Sequence, residues 1–429
     1  MVTIFRERLA SFIQAVLLIF ITGCVPTGVS TTSITTKSIV YSDYNYEDYV
    51  GNVIINSTNP FVQVGSENPL TIEFDLLSKN FENLQIRYIH CNYDWTPSKL
   101  PDMQFLKSFN RFDHSSFNYS INTKRNYIQY FFDVTKPYVS GNYLIVLHRR
   151  GNPDDILFTR KVVFYNNQVN VNAKIHVPTQ VKQRATHQQL DVELNYSTIE
   201  APNPQQNFKM VIMQNKDWET AIKDLKASAM QPSSRKMEWN YSTSETSFPG
   251  WNQFRFLDLR TLNLRGMNIA SIENRESGVL VAHALEGSFG NDSYRQLIND
   301  NNGRMLPGNS DPGESYLEAD YASVQFALKS EKINGQIWLT GRFNDWRRDK
   351  SNLMKYDEEN GVYFTSIRLK QGYYDYRYEV ISDDYPRYEF EGSHYQTENE
   401  YDILIYYRAP GKINDEVVGI KSLNSSDFF

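Results

Sequence analysis

Most of the chain consists of short segments in which apolar and polar residues alternate. Clear examples lie before residue 166: NPLTIEFDLL, NLQIRYIHCNY, NYIQYFFDV, GNYLIVLHRRG and DILFTRKVVFY. A period of two places successive side chains on opposite faces of a strand, and the Gly, Pro, Asn and Asp residues between the segments indicate turns. The spacing is typical of sandwiches, so the pattern predicts a mainly β fold of tandem immunoglobulin-like or fibronectin-like β-sandwiches.

The same pattern divides the chain into consecutive units. A long polar loop, NDNNGRMLPGNSDPGE, lies inside the second of these units. The stretch DWETAIKDLKAS indicates a helix of one or two turns, with Asp217 as its N-cap. The predicted units are a first β-sandwich at 39–166, a second β-sandwich with the short helix at 167–330, a third unit at 331–410 and a polar tail at 411–429.

Residues 1–23 break this pattern and resemble a secretory signal peptide, with two arginines followed by a short apolar run. The run ends in ITGC at residues 21–24, which resembles a bacterial lipobox. That resemblance implies cleavage before Cys24, lipidation of Cys24 and a flexible Ser/Thr-rich tether at 24–38. The alternative is an uncleaved anchor helix, but the run is short of the roughly 20 apolar residues that a span requires.

Cys91 is the only other cysteine, so it has no partner if Cys24 carries lipid. An unpaired thiol is a liability in an oxidising compartment unless it is buried. Alternation places Cys91 on the same strand face as Ile89, and we therefore predict a buried core thiol rather than a nucleophile.

Composition and charge narrow the function. The chain has 29 Tyr and 25 Phe, which favours sheets. Its 44 basic and 50 acidic residues give a net charge of −6, which is too balanced to indicate nucleic acid or an anionic membrane as a partner.

Candidate chemistry is sparse. No two of the seven histidines have a metal-ligand spacing, and a calcium loop at NDNNG would require Ile298 as its first ligand. Ser310 in GNSDPG is one residue away from a nucleophile-elbow pattern and follows a loop rather than a strand. We expect no catalytic residue, no metal and no cofactor, and an unrecognised hydrolase using Ser310 is the weakest functional hypothesis.

Five motifs occur in a specific order: IHCNYDWTPSKL at 89–100, MQNKDWETAIKDL at 213–225, GWNQFRFLDLRTL at 250–262, SYLEADYASVQFAL at 315–328 and LKQGYYDYRYEV at 369–380. Together they resemble the type IX secretion system plug proteins of Bacteroidetes, from about residue 41 to residue 407. Each motif alone is weak, but the ordered set is specific.

The resemblance implies a protein that docks on the outer-membrane translocon barrel of that system and closes its periplasmic opening when no cargo is present. It provides no catalytic residue to transfer. Surface lipoproteins of that phylum usually carry acidic residues just after the lipidated cysteine, and none follow Cys24. The implied location is therefore the periplasmic side of the outer membrane, with a lipid anchor in the inner leaflet.

The third unit resembles early-set, glycogen-binding modules through its turn Gly341–Trp346 and its strand Gly372–Tyr378. In such modules a turn tryptophan stacks on sugar and a basic strand residue donates to hydroxyls, which are the roles implied here for Trp346 and Arg377. Alternation places Tyr374, Tyr376 and Tyr378 on one face and Asp375, Arg377 and Glu379 on the other. The second stacking tryptophan of the modules is missing. We therefore expect the turn Gly341–Trp346 to shape a hairpin and pack a corner of the sandwich, with Trp346 and Arg377 exposed and able to contact a protein. An α-glucan-binding lipoprotein is the alternative function.

Overall fold

Strands account for most of the regular structure, which confirms the predicted mainly β fold. The computed structural model describes residues 36–429 except 66–67, 276–278, 289–292, 296–299 and 312–315. The predicted signal peptide, Cys24 and nearly all of the tether therefore lie outside the described residues. No helix within the described part of the chain is long and apolar enough to cross a membrane.

The strands are numbered in chain order. They are β1 Tyr44–Asn45, β2 Val50–Ile55, β3 Phe61–Gln63, β4 Leu70–Leu76, β5 Leu84–Cys91, β6 Phe112–Asp113, β7 Ser116–Tyr119, β8 Ile128–Val134, β9 Gly141–Arg149, β10 Ile156–Tyr165, β11 Asn170–His176, β12 His187–Asn195, β13 Phe208–Gln214, β14 Ala229–Gln231, β15 Lys236–Trp239, β16 Ser247–Pro249, β17 Arg255–Asp258, β18 Ile269–Asn274, β19 Leu280–Ala284, β20 Gly287–Ser288, β21 Met305–Pro307, β22 Tyr321–Lys329, β23 Gln336–Thr340, β24 Lys355–Asp357, β25 Val362–Lys370, β26 Gly372–Ile381, β27 Glu400–Tyr407 and β28 Glu416–Asn424. The described helical segments are one α-helical turn, Pro204–Asn207, and the 3-10 turns Asn56–Thr58, Asp102–Gln104, Val181–Gln183, Trp218–Thr220, Pro232–Ser234, Tyr316–Glu318, Arg342–Asn344 and Ser425–Asp427.

The first sandwich combines two sheets. One is the four-stranded sheet β2-β4-β8-β7, and the other is part of a nine-stranded sheet with the main path β13-β27-β28-β10-β9-β5-β6, in which β1 and β3 also pair with β10. Alternation in β4 buries Leu70, Ile72 and Phe74 completely, as the pattern NPLTIEFDLL predicts. The core between the sheets draws its residues from Val50 to Phe164.

The second sandwich shares the nine-stranded sheet. The sheet β11-β12-β15-β14, with β16 paired to β12, faces β13, β27 and β28 across a core that includes Leu190, Ile212, Ile403 and Val418. Strand β28 pairs with β27 from Glu400↔Asn424 to Tyr407↔Glu416. This differs from the predicted polar tail at 411–429, because the apolar residues of β28 complete a core that begins more than two hundred residues earlier.

The third sandwich lies, in sequence, between the two parts of the second. The sheet β17-β26-β21, with β23 paired to β26, faces β18-β19-β22-β25-β24, with β20 paired to β22. Its core extends from Leu257 to Phe390 and contains both Leu328 and Ile337. The predicted boundary between 330 and 331 thus falls inside one core. Alternation identifies strands but not their partners. The sequence pattern could therefore not show that β17–β22 and β23–β26 belong to one sandwich.

Two local predictions have separate outcomes. The Asp217 carboxylate caps a turn by accepting from the Glu219 N–H at 2.9 Å, but the helix is a single 3-10 turn because Ile222 instead forms a bridge with Ile212.

Cys91 is a fully buried free thiol in the same apolar cluster as Ile89, which confirms that prediction. Burial raises the pKa of the Cys91 thiol to about 12, so the thiol is inert at neutral pH.

Candidate functional site

The turn after β23 is a rigid corner. Gly341 N–H donates to Asn344 Oδ1 at 3.1 Å, and Asn344 Nδ2 donates to the Leu339 carbonyl at 2.9 Å. Asp345 and Trp346 follow with left-handed backbones, φ 54° and 58°. Such a conformation costs roughly 1–2 kcal/mol per residue and persists only where packing enforces it. Gly341 is required by close approach, since a Cβ there would lie 2.7 Å from the Asp375 carbonyl oxygen.

Packing at this corner buries the two residues that the sequence placed on an exposed platform. Trp346 is 2% exposed and Arg377 is 4% exposed, so the expectation that they are exposed is wrong, whereas the turn packs a corner of the sandwich as expected. The Arg377 guanidinium lies between two indoles, with its Cζ 4.0 Å from the ring centre of Trp251 and 4.7 Å from that of Trp346. Two indole rings of the protein itself therefore already contact the guanidinium, in a stabilising cation–π arrangement.

Arg377 also connects two sandwiches. Its Nη2 donates to Asp217 Oδ2 at 3.1 Å, and Asp217 is buried at the start of the 3-10 turn that follows β13 in the second sandwich. Asp345, beside Trp346, lies 3.3 Å from Arg160 Nε on β10 of the first sandwich. We call Arg160, Asp217, Asp345, Trp346 and Arg377 the three-way joint, because side chains of all three sandwiches meet there.

Strand β26 has the two faces that alternation predicts. Its tyrosines lie in the third core, while Asp375, Arg377 and Glu379 lie on the opposite face. That face is buried too, and Arg377 and Glu379 each have a partner of opposite charge. Glu379 accepts from Arg348 at 2.9 Å through both Nε and Nη2, and it also pairs with Arg387. Burial nonetheless raises the pKa of Glu379.

Asp375 is the least compensated charge on this face. Its Oδ2 accepts the N–H groups of Asn301 at 2.7 Å and Gly303 at 3.0 Å, while its Oδ1 has no hydrogen-bond partner. Burial, followed by repulsion from Asp300, raises the pKa of Asp375 to about 7. This carboxyl group therefore holds the 301–303 loop against β26 with a charge that depends on pH.

A second junction joins the first sandwich to the third. Lys370 Nζ at the end of β25 lies 2.9 Å from Asp75 Oδ2 on β4, and the Tyr321 hydroxyl donates to the same oxygen at 2.6 Å. The ammonium also lies 4.2 Å from the ring centre of Tyr127 and 4.1 Å from that of Tyr316. We call these five residues the Lys370 lock. Burial raises the pKa of Asp75 and lowers that of Lys370, so solvent contributes little to holding either charge.

A third junction lies on the face of the nine-stranded sheet opposite the first and second cores. Trp95 and Trp218 meet edge to face with ring centres 5.0 Å apart. Lys161 Nζ of β10 lies 5.1 Å from the Trp95 ring centre and 5.5 Å from that of Trp218. This contact fastens the loops that follow β5 and β13 to the shared sheet.

The five sequence motifs provide most of these junction residues. Trp95, Asp217, Trp218 and Trp251 come from the first three motifs, and Tyr316, Tyr321, Lys370 and Arg377 come from the last two. The sequence analysis did not identify the Lys370 lock or Arg160. A charged residue within an aromatic strand-like segment, such as LKQGYYDYRYEV, could have indicated a buried ion pair, because an unpaired charge is too costly to bury.

The described residues offer little for chemistry. Among them, no group of three or more His, Cys, Asp or Glu side chains is placed to hold a metal ion. A cleft of about 950 Å³ opens between the segments 44–53 and 342–351, with acidic Glu47 and Asp48 and basic Arg342 and Arg368 in its lining. The clearest capacity of the arrangement is mechanical, because its buried charges join three sandwiches within the compact unit Ile39–Phe429.

A solved structure shares the fold of this chain. A crystal structure of a hypothetical protein from Parabacteroides merdae is similar over 90% of this chain and 100% of its own chain, with a TM-score of 0.84 and 25% identity. Salmonella alpha-2-macroglobulin reacted with methylamine reaches a TM-score of only 0.17 at 10% identity, over 91% of this chain and 24% of its own, and carries no argument. No curated protein matches the chain.

A family model gives the assignment. The model described as type 9 secretion system plug protein 1st domain matches residues 37–166, which contain the first of the five motifs and the whole first core. The resemblance of the third unit to early-set modules stays a prediction. The resemblance to the plug proteins is confirmed, and the chain carries at residues 37–166 a first domain of the type IX secretion system plug protein family.

Proposed function

We propose that this protein docks on the outer-membrane translocon of the type IX secretion system and closes its periplasmic opening when no cargo is present. The observation that carries the proposal is the match of residues 37–166 to the plug first domain. A family that plugs a translocon has a mechanical task, and the junctions described above suit that task.

Rigidity supports the proposal. A body that blocks a wide opening must not hinge under load. Here a hinge between the sandwiches would separate Arg377 from Asp217 and Lys370 from Asp75. A charge that stays buried after losing its partner costs about 3–5 kcal/mol, so a small movement that separates a pair without hydrating both charges is strongly disfavoured.

Lipidation is a second part of the proposal. A lipid on Cys24 would confine the protein to the inner leaflet of the outer membrane and raise its local concentration at the translocon. Metabolic labelling with an alkyne fatty acid tests this directly. We expect label on the wild-type chain and none on a Cys24→Ala variant, and persistent label on that variant would contradict it.

The decisive experiment for docking is affinity purification of the tagged full chain from solubilised outer membranes. We expect the large translocon barrel to co-purify. The control is an equally tagged, unrelated periplasmic lipoprotein expressed at the same level. Recovery of the barrel with both baits, or with neither, would contradict docking.

Closure is tested by permeability in cells. A strain that lacks this protein should admit large hydrophilic dyes or antibiotics that the outer membrane normally excludes. Removing the translocon barrel as well should restore exclusion, because the leak would pass through that barrel. A leak that persists in the double deletion would separate this protein from the translocon pore.

The α-glucan alternative has no comparable support. It rests on Trp346 and Arg377, which are buried against each other, and Arg377 also contacts Trp251. A sugar would first have to open the three-way joint.

A further inference from the structure

The two most exposed large apolar side chains of the described residues lie in the same loop. Phe109 is 91% exposed and Met103 is 88% exposed, whereas the next one, Val181, is 75% exposed. Both belong to the segment 102–110 between β5 and β6 in the first sandwich, which we call the tip loop.

The exposure is built into the loop. Phe105 and Leu106 are buried in the first core, and they fix the centre of the loop. Its ends are closed by Asn110 Nδ2, which donates to Asp102 Oδ2 at 2.9 Å and to the Tyr88 carbonyl at 2.8 Å. The Tyr138 hydroxyl donates to the Met103 carbonyl at 3.1 Å. Met103 and Phe109 therefore project from an anchored loop.

Cations surround the two apolar side chains. Lys99, Lys107 and Arg111 are exposed in or beside the loop, and they outnumber the one carboxylate at 99–111, Asp102, which accepts from Asn110 and keeps its charge. The net charge of −6 for the whole chain conceals this local excess of positive charge. Protruding apolar side chains with flanking cations suit a bilayer surface, where the apolar groups enter the interface and the cations meet anionic headgroups.

We propose that the tip loop is a membrane-contacting loop that inserts Met103 and Phe109 into the interface of a bilayer containing anionic lipid. A protein partner fits less well. A specific protein interface buries about 800 Å² on each side around a contiguous apolar centre. Here two apolar side chains project separately, at opposite ends of the loop with the exposed Gln104, Lys107 and Ser108 between them. The proposal does not depend on lipidation of Cys24 or on plugging.

The test uses an environment-sensitive fluorophore on the full chain. A Cys24→Ala background leaves only Cys91, whose buried thiol does not react. A Phe109→Cys variant then accepts a single NBD label, and a Val181→Cys variant, in an exposed 3-10 turn of the second sandwich, is the matched control. The apolar residues 10–21 are present in both variants, so any binding that they cause is common to both.

The labelled proteins are mixed with vesicles of phosphatidylcholine alone and of phosphatidylcholine with phosphatidylglycerol. We expect a blue shift and brighter emission for the label at 109 with anionic vesicles, a smaller change with neutral vesicles, and no change for the label at 181. No shift at 109, or equal shifts at both positions, would overturn the proposal. A shift at 109 with detergent-solubilised translocon barrel but not with vesicles would overturn it in favour of a protein partner.

Variants separate the apolar and electrostatic contributions by vesicle co-sedimentation. Partial insertion of two side chains predicts about tenfold weaker partitioning for Met103→Ser/Phe109→Ser. Lys107→Glu should weaken binding only to the anionic vesicles. Val181→Ser and Lys182→Glu, at exposed residues of the control turn, should leave both unchanged. Unchanged thermal unfolding shows that each variant folds, and unchanged partitioning of the double serine variant would contradict insertion.

Discussion

Lys370 and Asp75 are almost completely removed from solvent, with side-chain exposures of 1% and 0%. Replacing Lys370 with Met would leave the Asp75 carboxylate buried without its cation. Removing one member of a buried pair destabilises proteins by about 3–5 kcal/mol. We expect a loss of that size for Lys370→Met in urea unfolding, which would make the lock one of the most sensitive sites in the chain.

A paired variant distinguishes loss of charge balance from loss of packing. In Asp75→Asn/Lys370→Met the buried charge is gone, and the amide oxygen of the new side chain at position 75 can still accept from the Tyr321 hydroxyl. This double variant should recover most of the stability that Lys370→Met loses. The exposed pair Lys332–Glu358 is the control, because Lys332→Met should cause no measurable change. Equal losses in the single and double variants would contradict the electrostatic explanation.

Asp375 makes stability depend on pH. Its pKa is raised to about 7, well above the ordinary value of a carboxyl group, so the folded chain binds this proton more tightly than the unfolded chain does. Stability from this group is therefore fully present below about pH 4 and declines as the pH rises toward 7. Each pH unit within that window is equivalent to about 1.4 kcal/mol, which predicts a decline of about 2–3 kcal/mol between pH 5 and 7.

Other groups titrate in the same range, so the comparison is between the wild-type chain and Asp375→Asn. The variant can still accept the Asn301 and Gly303 N–H groups through its amide oxygen. We expect the stability difference between variant and wild type to grow from pH 5 to 7, with the variant gaining, and to stay constant above about pH 8. A difference that is flat across this range, measured by urea unfolding at each pH, would refute the assignment.

At the scale of the single element, the sequence predicts burial correctly where burial depends on alternation within one strand. The two faces of β26 follow from alternation, and so does the burial of Cys91 beside Ile89. The burial of Trp346 and Arg377 was not predictable, because it depends on Trp251 and Asp217, which lie over ninety residues away in the sequence. A charged residue on the outer face of a strand predicts that this face is exposed to solvent. That prediction fails where another part of the chain covers the face.

Pairing between distant elements is where the sequence was least informative. The segment EVVGIKSLN has a short apolar start followed by polar residues, and it forms β28 only because β27 and β10 provide partners. A chain truncated after Pro410 should therefore lose the second sandwich, since Val417 and Val418 are buried and β27 would become an edge. We expect insoluble or protease-sensitive protein without a cooperative thermal transition.

Removal of Phe428 and Phe429 alone is the matched control. Both side chains are partly exposed, whereas Ser425, just before them, is buried and bonds to Asn399 and Thr397. This shorter truncation should leave the midpoint of thermal unfolding nearly unchanged. A soluble, cooperatively folded chain that ends at Pro410 would show instead that 411–429 is dispensable, as a polar tail would be.

At the scale of the whole molecule, the junctions suggest that one cooperative unit spans all three sandwiches. The first and second sandwiches share a sheet, and the third is joined to them by the Lys370 lock and the three-way joint. Separate domains usually unfold separately, but strong coupling makes their transitions coincide. We therefore expect a single calorimetric transition for the wild-type chain.

Weakening both junctions should divide that transition. In Lys370→Met/Arg377→Met the three cores keep their apolar residues, so each sandwich can still fold, but the contacts between them lose their cations and leave Asp75 and Asp217 unpaired. We expect the third sandwich to melt in a separate, earlier transition. The control is Arg275→Met/Lys332→Met, which removes two exposed cations from the same sandwich and should leave one transition. Separate transitions in the wild-type chain would contradict the coupling.

If plugging requires a rigid body, the junction variant Lys370→Met/Arg377→Met should still co-purify with the translocon barrel, but cells that carry it should leak. Docking and rigidity would then be separate properties of the chain.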